Sequence, residues 1–371
     1  MAVMNIAIRA DASDQIGTGH VMRCITLADE LKKRDSNIRF VSRYMPLHLQ
    51  ALIVEKGYEF AKIESDNNLT VLDELAHAKW LGVSQKLDAA DTLAALSDKN
   101  WDWVVIDHYA IDIRWENILR NKIARLMVID DLADRNHDCE LLLDQNLYVD
   151  KEMRYLQKVP RSCKLLLGPE YALLQPIYAR LHNKEIVKNS AVQRILIYFG
   201  GADNSNLTGL ALNAVLAINR PDIYIDVVIS ETSVFAEDIR KQISAHKNIE
   251  LHTNLPSLAP LILIADLAIG AGGATTWERL CLGLPSIVIT LADNQYEVAN
   301  HLSELSLINY IGDKETVSKL DISEVLQELL SSLDLIDWSR NCMQICDGRG
   351  AERVVDVILL HSLAECSLLL H

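Results

Sequence analysis

The clearest structural signal in the chain is the stretch IGAGGATTWERLCLGLPSIVI, residues 269–289. The stretch begins at the end of a strand candidate over 267–270, and a pair of glycines follows. A helical pattern then covers 275–282, and a second apolar strand candidate covers 286–290. Strands that alternate with helices in this way are typical of βαβ units, which pack into a parallel sheet covered by helices. The stretch therefore predicts an α/β protein whose ligands bind in loops at the carboxyl ends of strands.

The same alternation runs through the rest of the chain. Strand candidates lie at 5–10, 38–42, 59–63, 103–107, 125–130 and 140–143 in the first half, and at 194–199, 223–229 and 249–252 in the second. A polar stretch over 182–193 interrupts the pattern. We therefore predict two doubly wound, Rossmann-like domains over 1–182 and 193–350 whose loops face a shared cleft, followed by a helical tail over 351–371.

Composition and charge restrict the class of protein. The chain has 371 residues, half of them hydrophobic, and a formal net charge of −15. This acidic balance argues against broad binding to nucleic acid or to anionic membranes. No apolar run reaches membrane-spanning length, and Arg9, Asp11 and Asp14 interrupt the N-terminal run too early for a signal peptide. Seven scattered cysteines are typical of free thiols, so we expect a cytoplasmic protein.

The glycine turn of the 269–289 stretch has two interpretations. Gly272 and Gly273 let a ligand approach the backbone, and Thr275 and Thr276 place hydroxyls beside the free N–H groups of a helix start. That combination suits a pyrophosphate, and Glu278 in the first turn can accept hydrogen bonds from ribose hydroxyls. The alternative is an ordinary glycine turn with threonine capping and a glutamate favoured by the helix dipole.

Two further loops follow strand candidates in the second half. Asn294 and Gln295 stand between a strand and a helix, where helix capping and a sugar or phosphate contact are the two alternatives. Gly200 and Gly201 follow the strand at 194–199, where paired glycines often only make a turn. Neither loop has the G-x-G-x-x-G pattern of dinucleotide binding, and the chain has no P-loop pattern. Oxidoreductases and P-loop proteins are therefore disfavoured.

The first domain carries IGTGH, residues 16–20, after its first strand. His20 stands at a helix start, where the dipole favours a neutral imidazole that can take a proton from water. The alternative is a histidine that caps the helix or packs against it. Another strand ends in Asp107, His108 and Tyr109, one of which can orient His20, contact a sugar or bond within its own loop.

The sequence contains no D-x-D triplet of the kind that holds a metal against a nucleotide diphosphate. Asp130 and Asp131 form the nearest acidic pair, but they lack the context of a metal site. We therefore expect activity without a divalent metal and without a cofactor.

Taken together, several motifs resemble one known family. IRADASDQIGTGHVMRC (8–24), VVIDHY (104–109), YFGGAD (198–203), GAGGATTWERLCLGLPSIVI (270–289) and DNQ (293–295) are similar to the UDP-sugar hydrolases of pseudaminic acid biosynthesis, which act on a UDP-linked diacetamido-trideoxy altropyranose. GPEYALLQPIY (168–178) and DGRGAERVV (347–355) also match. The GAGGATTWE region alone is shared with the wider glycosyltransferase-B (GT-B) superfamily.

The resemblance implies a GT-B-like fold that binds UDP mainly through the C-terminal domain. It implies that His20 is the general base for water, which attacks the anomeric carbon and displaces UDP with inversion. The substrate-binding residues implied are Gly17, Gly19, Arg23, Asp107, Tyr109 and Gly201. The UDP-binding residues implied are Gly272, Gly273, Ala274, Thr275, Thr276, Glu278, Asn294 and Gln295. The expected partner is a small UDP-sugar; the oligomeric state stays open.

Two alternatives to the hydrolase remain. An inverting GT-B glycosyltransferase would bind UDP in the same way but admit an acceptor hydroxyl instead of water. The IGTGH and IDHY motifs resemble the hydrolases more than the transferases. A sugar-nucleotide-binding protein without catalysis is the second alternative.

Overall fold

The computed structural model describes residues 3–64, 73–184, 189, 191–201, 203–331 and 335–368, the last six by their backbone alone. The chain divides into two compact units. The first comprises Met1–Asn146, Asp150–Leu173 and Gly350–His371, and the second comprises Leu147–Val149 and Leu174–Arg349. Each unit contains a parallel β-sheet with helices packed against it.

The sheet of the first unit has the strand order β3-β2-β1-β4-β5-β6-β7, and all its strands are parallel. The strands are β1 Asn5–Ala10, β2 Asn37–Ser42, β3 Glu59–Lys62, β4 Trp103–Asp107, β5 Leu126–Ile129, β6 Leu141–Asp144 and β7 Lys164–Leu167. The chain order reverses between β1 and β4, and such a switch point is where open α/β sheets bind ligands.

Helices cover both faces of this sheet. They include α1 Gly19–Lys32, α2 Leu47–Glu55, α3 Gln85–Ala95, α4 Ile113–Leu119 and α5 Lys151–Tyr155. Ile6 and Ile8 enter the core that contains the apolar residues of α1, whereas Ala7 enters the core on the opposite face. Burial on both faces explains why the strands appear in the sequence as nearly continuous apolar runs.

The second unit repeats the design with the strand order β10-β9-β8-β11-β12-β13, again all parallel. Its strands are β8 Arg194–Tyr198, β9 Tyr224–Val228, β10 Ile249–His252, β11 Leu267–Ala271, β12 Ser286–Thr290 and β13 Asn309–Asp313. Its helices include α6 Pro176–His182, α7 Leu207–Ala217, α8 Ala236–Ile243, α9 Ala259–Ile264, α10 Thr275–Cys281, α11 Tyr296–Glu304, α12 Lys319–Leu330 and α13 Leu335–Met343. The switch point of this sheet lies between β8 and β11.

The last helix, α14 Gly350–Leu368, belongs to the first unit. Val354, Val355 and Ile358 are fully buried in the core that also contains α1 residues. The close packing depends on Gly350, because a Cβ atom there would lie 2.2 Å from the carbonyl oxygen of Ala172. Residues 351–358 of the predicted helical tail thus pack into the core of the first unit.

The compact units divide the chain earlier than the polar stretch at 182–193. The change of unit falls between Leu173 and Leu174, because α6 packs against α9 and α10 of the second unit. The strand prediction also lacked β7 and β13, which lie at sheet edges. β13 is only partly buried along its length, so it carries no continuous apolar run. In the described part of the chain, no helix is long and apolar enough to cross a bilayer.

Candidate active site

The first turn of α1 and the end of β4 meet at the switch point of the first sheet. β1 and β4 are neighbours with Ala10 opposite Asp107, so the loop that follows β1 returns over Asp107. Gly17 has a φ of +79°, a left-handed conformation that glycine adopts without strain. This turn places His20 at the second position of α1, with its Nδ1 2.6 Å from Oδ1 of Asp107.

Asp107 fixes the tautomer of His20. Burial raises the pKa of Asp107, but the charge of Arg23 and the hydrogen bonds from Arg23 and His20 outweigh burial and hold the pKa below the usual aspartate value. An ionised carboxylate can only accept hydrogen bonds, so the proton between the two groups belongs to Nδ1 of His20. The lone pair of the imidazole therefore lies on Nε2, as a general base requires.

Arg23 joins Asp107 to a second carboxylate. Its Nε and Nη2 donate to Oδ2 and Oδ1 of Asp107 at 2.6 and 2.7 Å, and its Nη1 donates to Oδ2 of Asp131 at 2.6 Å. The hydroxyl of Tyr109 donates to the same Asp131 oxygen at 2.7 Å. The Tyr109 ring packs edge-on against the His20 ring with centroids 4.6 Å apart. Asp131 thus supports His20 through two neighbours.

The expected substrate-binding residues of the first unit fall into two groups. Arg23, Asp107 and Tyr109 are buried, and their polar atoms bond to one another or to Asp131 around His20. Gly17 and Gly19 face open space, since a Cβ atom at either position would meet nothing within 4 Å. Asp131 was missed by the sequence analysis, which considered it only as half of an acidic pair. The available signal was its position just after β5, the strand beside β4.

The glycine loop of the second unit lies between β11 and α10. The helix begins at Thr275 with Ala274 as its N-cap, and no side chain caps it. Among the described residues, no hydrogen bond engages the backbone N–H groups of Gly273, Ala274 and Thr275. Thr275 is partly exposed, whereas Thr276 is buried. The loop therefore presents free N–H donors and one accessible hydroxyl.

Glu278 lies one turn into the same helix. Its Oε2 and the hydroxyl of Tyr178 are both buried and make no hydrogen bond within 3.5 Å in the described structure, but the two side chains lie close enough for each to shift the pKa of the other. Burial raises the pKa of Glu278 to about 7, with Tyr178 and Arg279 opposing the shift. A carboxylate oxygen without a partner can accept a hydrogen bond from a ligand hydroxyl.

The remaining predicted residues lie in loops at the carboxyl ends of β8 and β12, the two strands that flank β11. Gln295 lies beside the glycine loop. Its side-chain oxygen is 3.5 Å from the position of a Cβ atom built on Gly272, and its side-chain nitrogen is 3.5 Å from a Cβ atom built on Gly273. Its oxygen accepts the N–H of Leu291 at 2.8 Å, which fixes the amide. Asn294 is exposed on the short turn after β12, and Gly201 is exposed after β8.

A group of possible metal ligands, Asp226, Glu250 and His252, lies on β9 and β10. Both oxygens of Asp226 already accept hydrogen bonds from Arg194, at 2.5 and 2.9 Å. His252 Nε2 lies 2.7 Å from one of the same oxygens. The Arg194 guanidinium thus already occupies the Asp226 oxygens that a metal ion would use, and we assign no metal to this group.

Comparison with known proteins agrees with this architecture. Residues 200–340 match the Glycosyltransferase family 28 C-terminal domain. MurG of Acinetobacter baumannii superposes with a TM-score of 0.63 over 96% of this chain and 99% of its own, at 14% identity. The chain has a GT-B-like fold. The fold predicted from the sequence is thereby confirmed, while the shared cleft stays a prediction.

Three curated relatives extend the comparison. An uncharacterized protein of Methanocaldococcus jannaschii is 28% identical over 79% of this chain, which spans only 57% of that protein's length. The spore coat polysaccharide biosynthesis protein SpsG of Bacillus subtilis is 23% identical over 96% of this chain and 98% of its own. The UDP-2,4-diacetamido-2,4,6-trideoxy-β-L-altropyranose hydrolase of Campylobacter jejuni is 24% identical over 81% of this chain and 97% of its own. Together with the fold, these similarities support an enzyme that acts on sugar nucleotides.

Proposed function

We propose that the protein hydrolyses a UDP-linked diacetamido-trideoxy sugar to the free sugar and UDP, a step of pseudaminic acid biosynthesis. The observation that carries the proposal is the 2.6 Å contact between His20 Nδ1 and an ionised Asp107, which leaves Nε2 as the base. The similarity to the Campylobacter jejuni hydrolase supports this substrate class.

In this reaction His20 accepts a proton from water through Nε2 as the water oxygen bonds to the anomeric carbon. The bond from that carbon to the β-phosphate oxygen breaks, and UDP leaves with the bonding electron pair. Asp107 holds the imidazole in the required tautomer and stabilises the imidazolium that forms. Arg23 and Tyr109 keep Asp107 and the His20 ring in place. UDP is a good leaving group, so no second carboxylate is needed to protonate it.

The second unit binds UDP in this proposal. The free N–H groups at 273–275 and the Thr275 hydroxyl face the diphosphate, and they stabilise the charge that develops on the leaving group. The carboxylate of Glu278, a partly exposed residue, accepts the ribose hydroxyls. Gln295 and Asn294 border this loop, and Gly201 leaves room for the ligand on the β8 side. No divalent metal is required.

The decisive experiment is a turnover assay with a panel of UDP-sugars and no acceptor, with free sugar and UDP both measured. We expect stoichiometric release of both from a UDP-diacetamido sugar, with and without EDTA. In water labelled with ¹⁸O, the label is expected on the sugar. Label on UDP would show cleavage of the phosphorus–oxygen bond and refute the mechanism. Loss of activity in EDTA that Mg²⁺ restores would refute the metal-independent scheme.

The family 28 domain match favours one second candidate, an inverting glycosyltransferase with the same UDP site. The two functions differ in the nucleophile that His20 activates, which is water in a hydrolase and an acceptor hydroxyl in a transferase. UDP release that appears only after an acceptor sugar is added would replace the hydrolase with the transferase.

A further inference from the structure

Arg279 is a buried cation directly behind the glycine loop. Only 3% of the residue is exposed. Its Nη2 donates to the carbonyl oxygen of Ala271 at 2.8 Å and to Oγ1 of Thr276 at 3.2 Å, and its Nη1 donates to Oγ1 of Thr275 at 3.3 Å. In the described structure the guanidinium donates only to these uncharged oxygens, and its Nε has no hydrogen-bond partner.

Such a charge is costly for a purely structural residue. A buried cation without a carboxylate partner destabilises the folded state, and an apolar side chain of similar volume would fill the same space at lower cost. Burial lowers the pKa of Arg279 to about 10, with Glu278 opposing the shift, so the side chain remains charged at neutral pH. Glu278 offsets part of this charge without a hydrogen bond to the guanidinium, and the remaining positive charge favours an anion bound at the glycine loop.

The bond from Arg279 also orients the Thr275 hydroxyl. A guanidinium has only donors, so Oγ1 of Thr275 must act as the acceptor, and its own proton points elsewhere. The Thr276 hydroxyl is buried and directed at the carbonyl oxygen of Ala271, 3.5 Å away. Of the two threonines, only Thr275 is accessible to a ligand.

The backbone is shaped to admit this arginine. A Cβ atom at Gly270 would lie 2.9 Å from Nη1 of Arg279 and 2.5 Å from the carbonyl oxygen of Tyr198. Glycine at 270 thus lets the guanidinium pass under the end of β11 and reach the loop.

We propose that Arg279 is a positioning residue for a nucleoside diphosphate: it turns the Thr275 hydroxyl toward the diphosphate and sets a positive charge behind the 272–274 loop. This inference rests on the proposed UDP site. It makes Thr275 the side-chain donor, leaves Thr276 as an internal support of the loop, and assigns the other diphosphate contacts to backbone N–H groups.

The test measures the affinity of the full-length protein for UDP and for uridine by calorimetry, with displacement titrations for weak binding. Arg279→Lys retains the positive charge but loses the planar set of guanidinium donors, and Arg279→Met loses both the charge and the donors. Because a hydrogen bond to a charged group is lost or misplaced, we expect UDP affinity to fall about tenfold to a hundredfold in both variants. Uridine affinity should stay at the wild-type value. Arg340→Met, on the exposed face of α13, is the control that should leave both affinities unchanged.

Thr275→Val tests whether Arg279 affects UDP binding through the Thr275 hydroxyl. If Arg279 acts through this hydroxyl, Thr275→Val lowers UDP affinity alone, and the Arg279→Lys/Thr275→Val double variant binds UDP more tightly than the product of the two single losses predicts. Thermal melts confirm that each variant is folded.

Three outcomes overturn the inference. UDP affinity unchanged in folded Arg279 variants overturns it while leaving the proposed function intact. An equal loss of UDP and uridine affinity shows that Arg279 only supports the fold of the site. A wild-type protein that binds no UDP at all refutes the proposed function itself, and the inference with it.

Discussion

Replacing Asp107 with asparagine tests the assignment of His20 as the base. Four donors converge on the two oxygens of Asp107. Oδ1 accepts from His20 and from Nη2 of Arg23, and Oδ2 accepts from Nε of Arg23 and, at 3.5 Å, from the Cys24 thiol. An asparagine offers one acceptor oxygen and one NH₂ group in the same space. Whichever way its amide is turned, two of these donors meet an N–H group.

The two amide orientations have different consequences. If the NH₂ group faces His20, it donates to Nδ1 and forces the proton onto Nε2, so the imidazole can no longer accept a proton from water. If the NH₂ group faces Nε of Arg23, the histidine keeps its tautomer but the arginine is displaced. General-base loss costs roughly 10²–10⁴-fold in kcat, which corresponds to about 2.7–5.4 kcal/mol of transition-state stabilisation. We expect a loss in this range with KM little changed.

The assay follows UDP release at saturating UDP-sugar, normalised to the number of UDP-binding sites measured by calorimetry. Normalisation is needed because breaking a buried ion pair also destabilises the fold, typically by about 3–5 kcal/mol. Asp226→Asn is a matched control, since Asp226 is equally buried and also bonds an arginine and a histidine. It should lose stability but keep kcat. A folded Asp107→Asn enzyme with kcat within about threefold of wild type would refute the reasoning.

Three further predictions concern Asp131, Glu278 and the packing of α14. Asp131→Ala should lower kcat by up to roughly a hundredfold with UDP affinity unchanged, because Arg23 and Tyr109 lose their common acceptor. A folded variant with the wild-type kcat would show that Asp131 does not help to position His20. The affinity for UDP should rise as the pH increases through the Glu278 pKa of about 7, because the ionised carboxylate accepts ribose hydroxyls better than the acid does. Calorimetry on Glu278→Gln, in which that part of the pH dependence should vanish, checks this assignment. Ile358→Ala should destabilise the first unit by about 2–5 kcal/mol in urea unfolding, whereas Leu360→Ala, 61% exposed on the same helix, should have almost no effect.

The sequence predicted most of the framework because buried parallel strands are apolar along their whole length. The predicted strands at 5–10, 103–107 and 286–290 match the structure to the residue. β13 was not predicted because it lies at the edge of the sheet, where its residues Asn309–Asp313 are only partly buried. A partly buried strand lacks the continuous apolar run by which the other strands were recognised. The position of the unit boundary depends on which unit α6 packs against, and a polar loop in the sequence carries no information about that contact.

The candidate site also has parts that the sequence could indicate and parts that only the structure shows. His20 and the 272–276 loop are candidates that the sequence alone proposes, because glycines, a helix start and a polar side chain after a strand form a local pattern; their roles stay predictions. The network between Arg23 and Asp131 spans 108 positions and exists only once β4 and β5 are paired. Arg279 resembles an ordinary basic residue in the last turn of a helix, and only its burial reveals a charge without a carboxylate partner.

The position of α14 also bears on how the protein folds as it leaves the ribosome. The second unit is almost continuous in sequence, whereas the first unit needs Val354, Val355 and Ile358 of α14 to complete its core. Domains usually fold in the order of their synthesis, with the N-terminal one first. Here we expect the reverse: 174–349 can fold while the apolar surface beside α1 still awaits its partner helix. Until α14 emerges, we expect that nascent apolar surface to stay uncovered, and exposed surfaces of this kind are what chaperones bind in general.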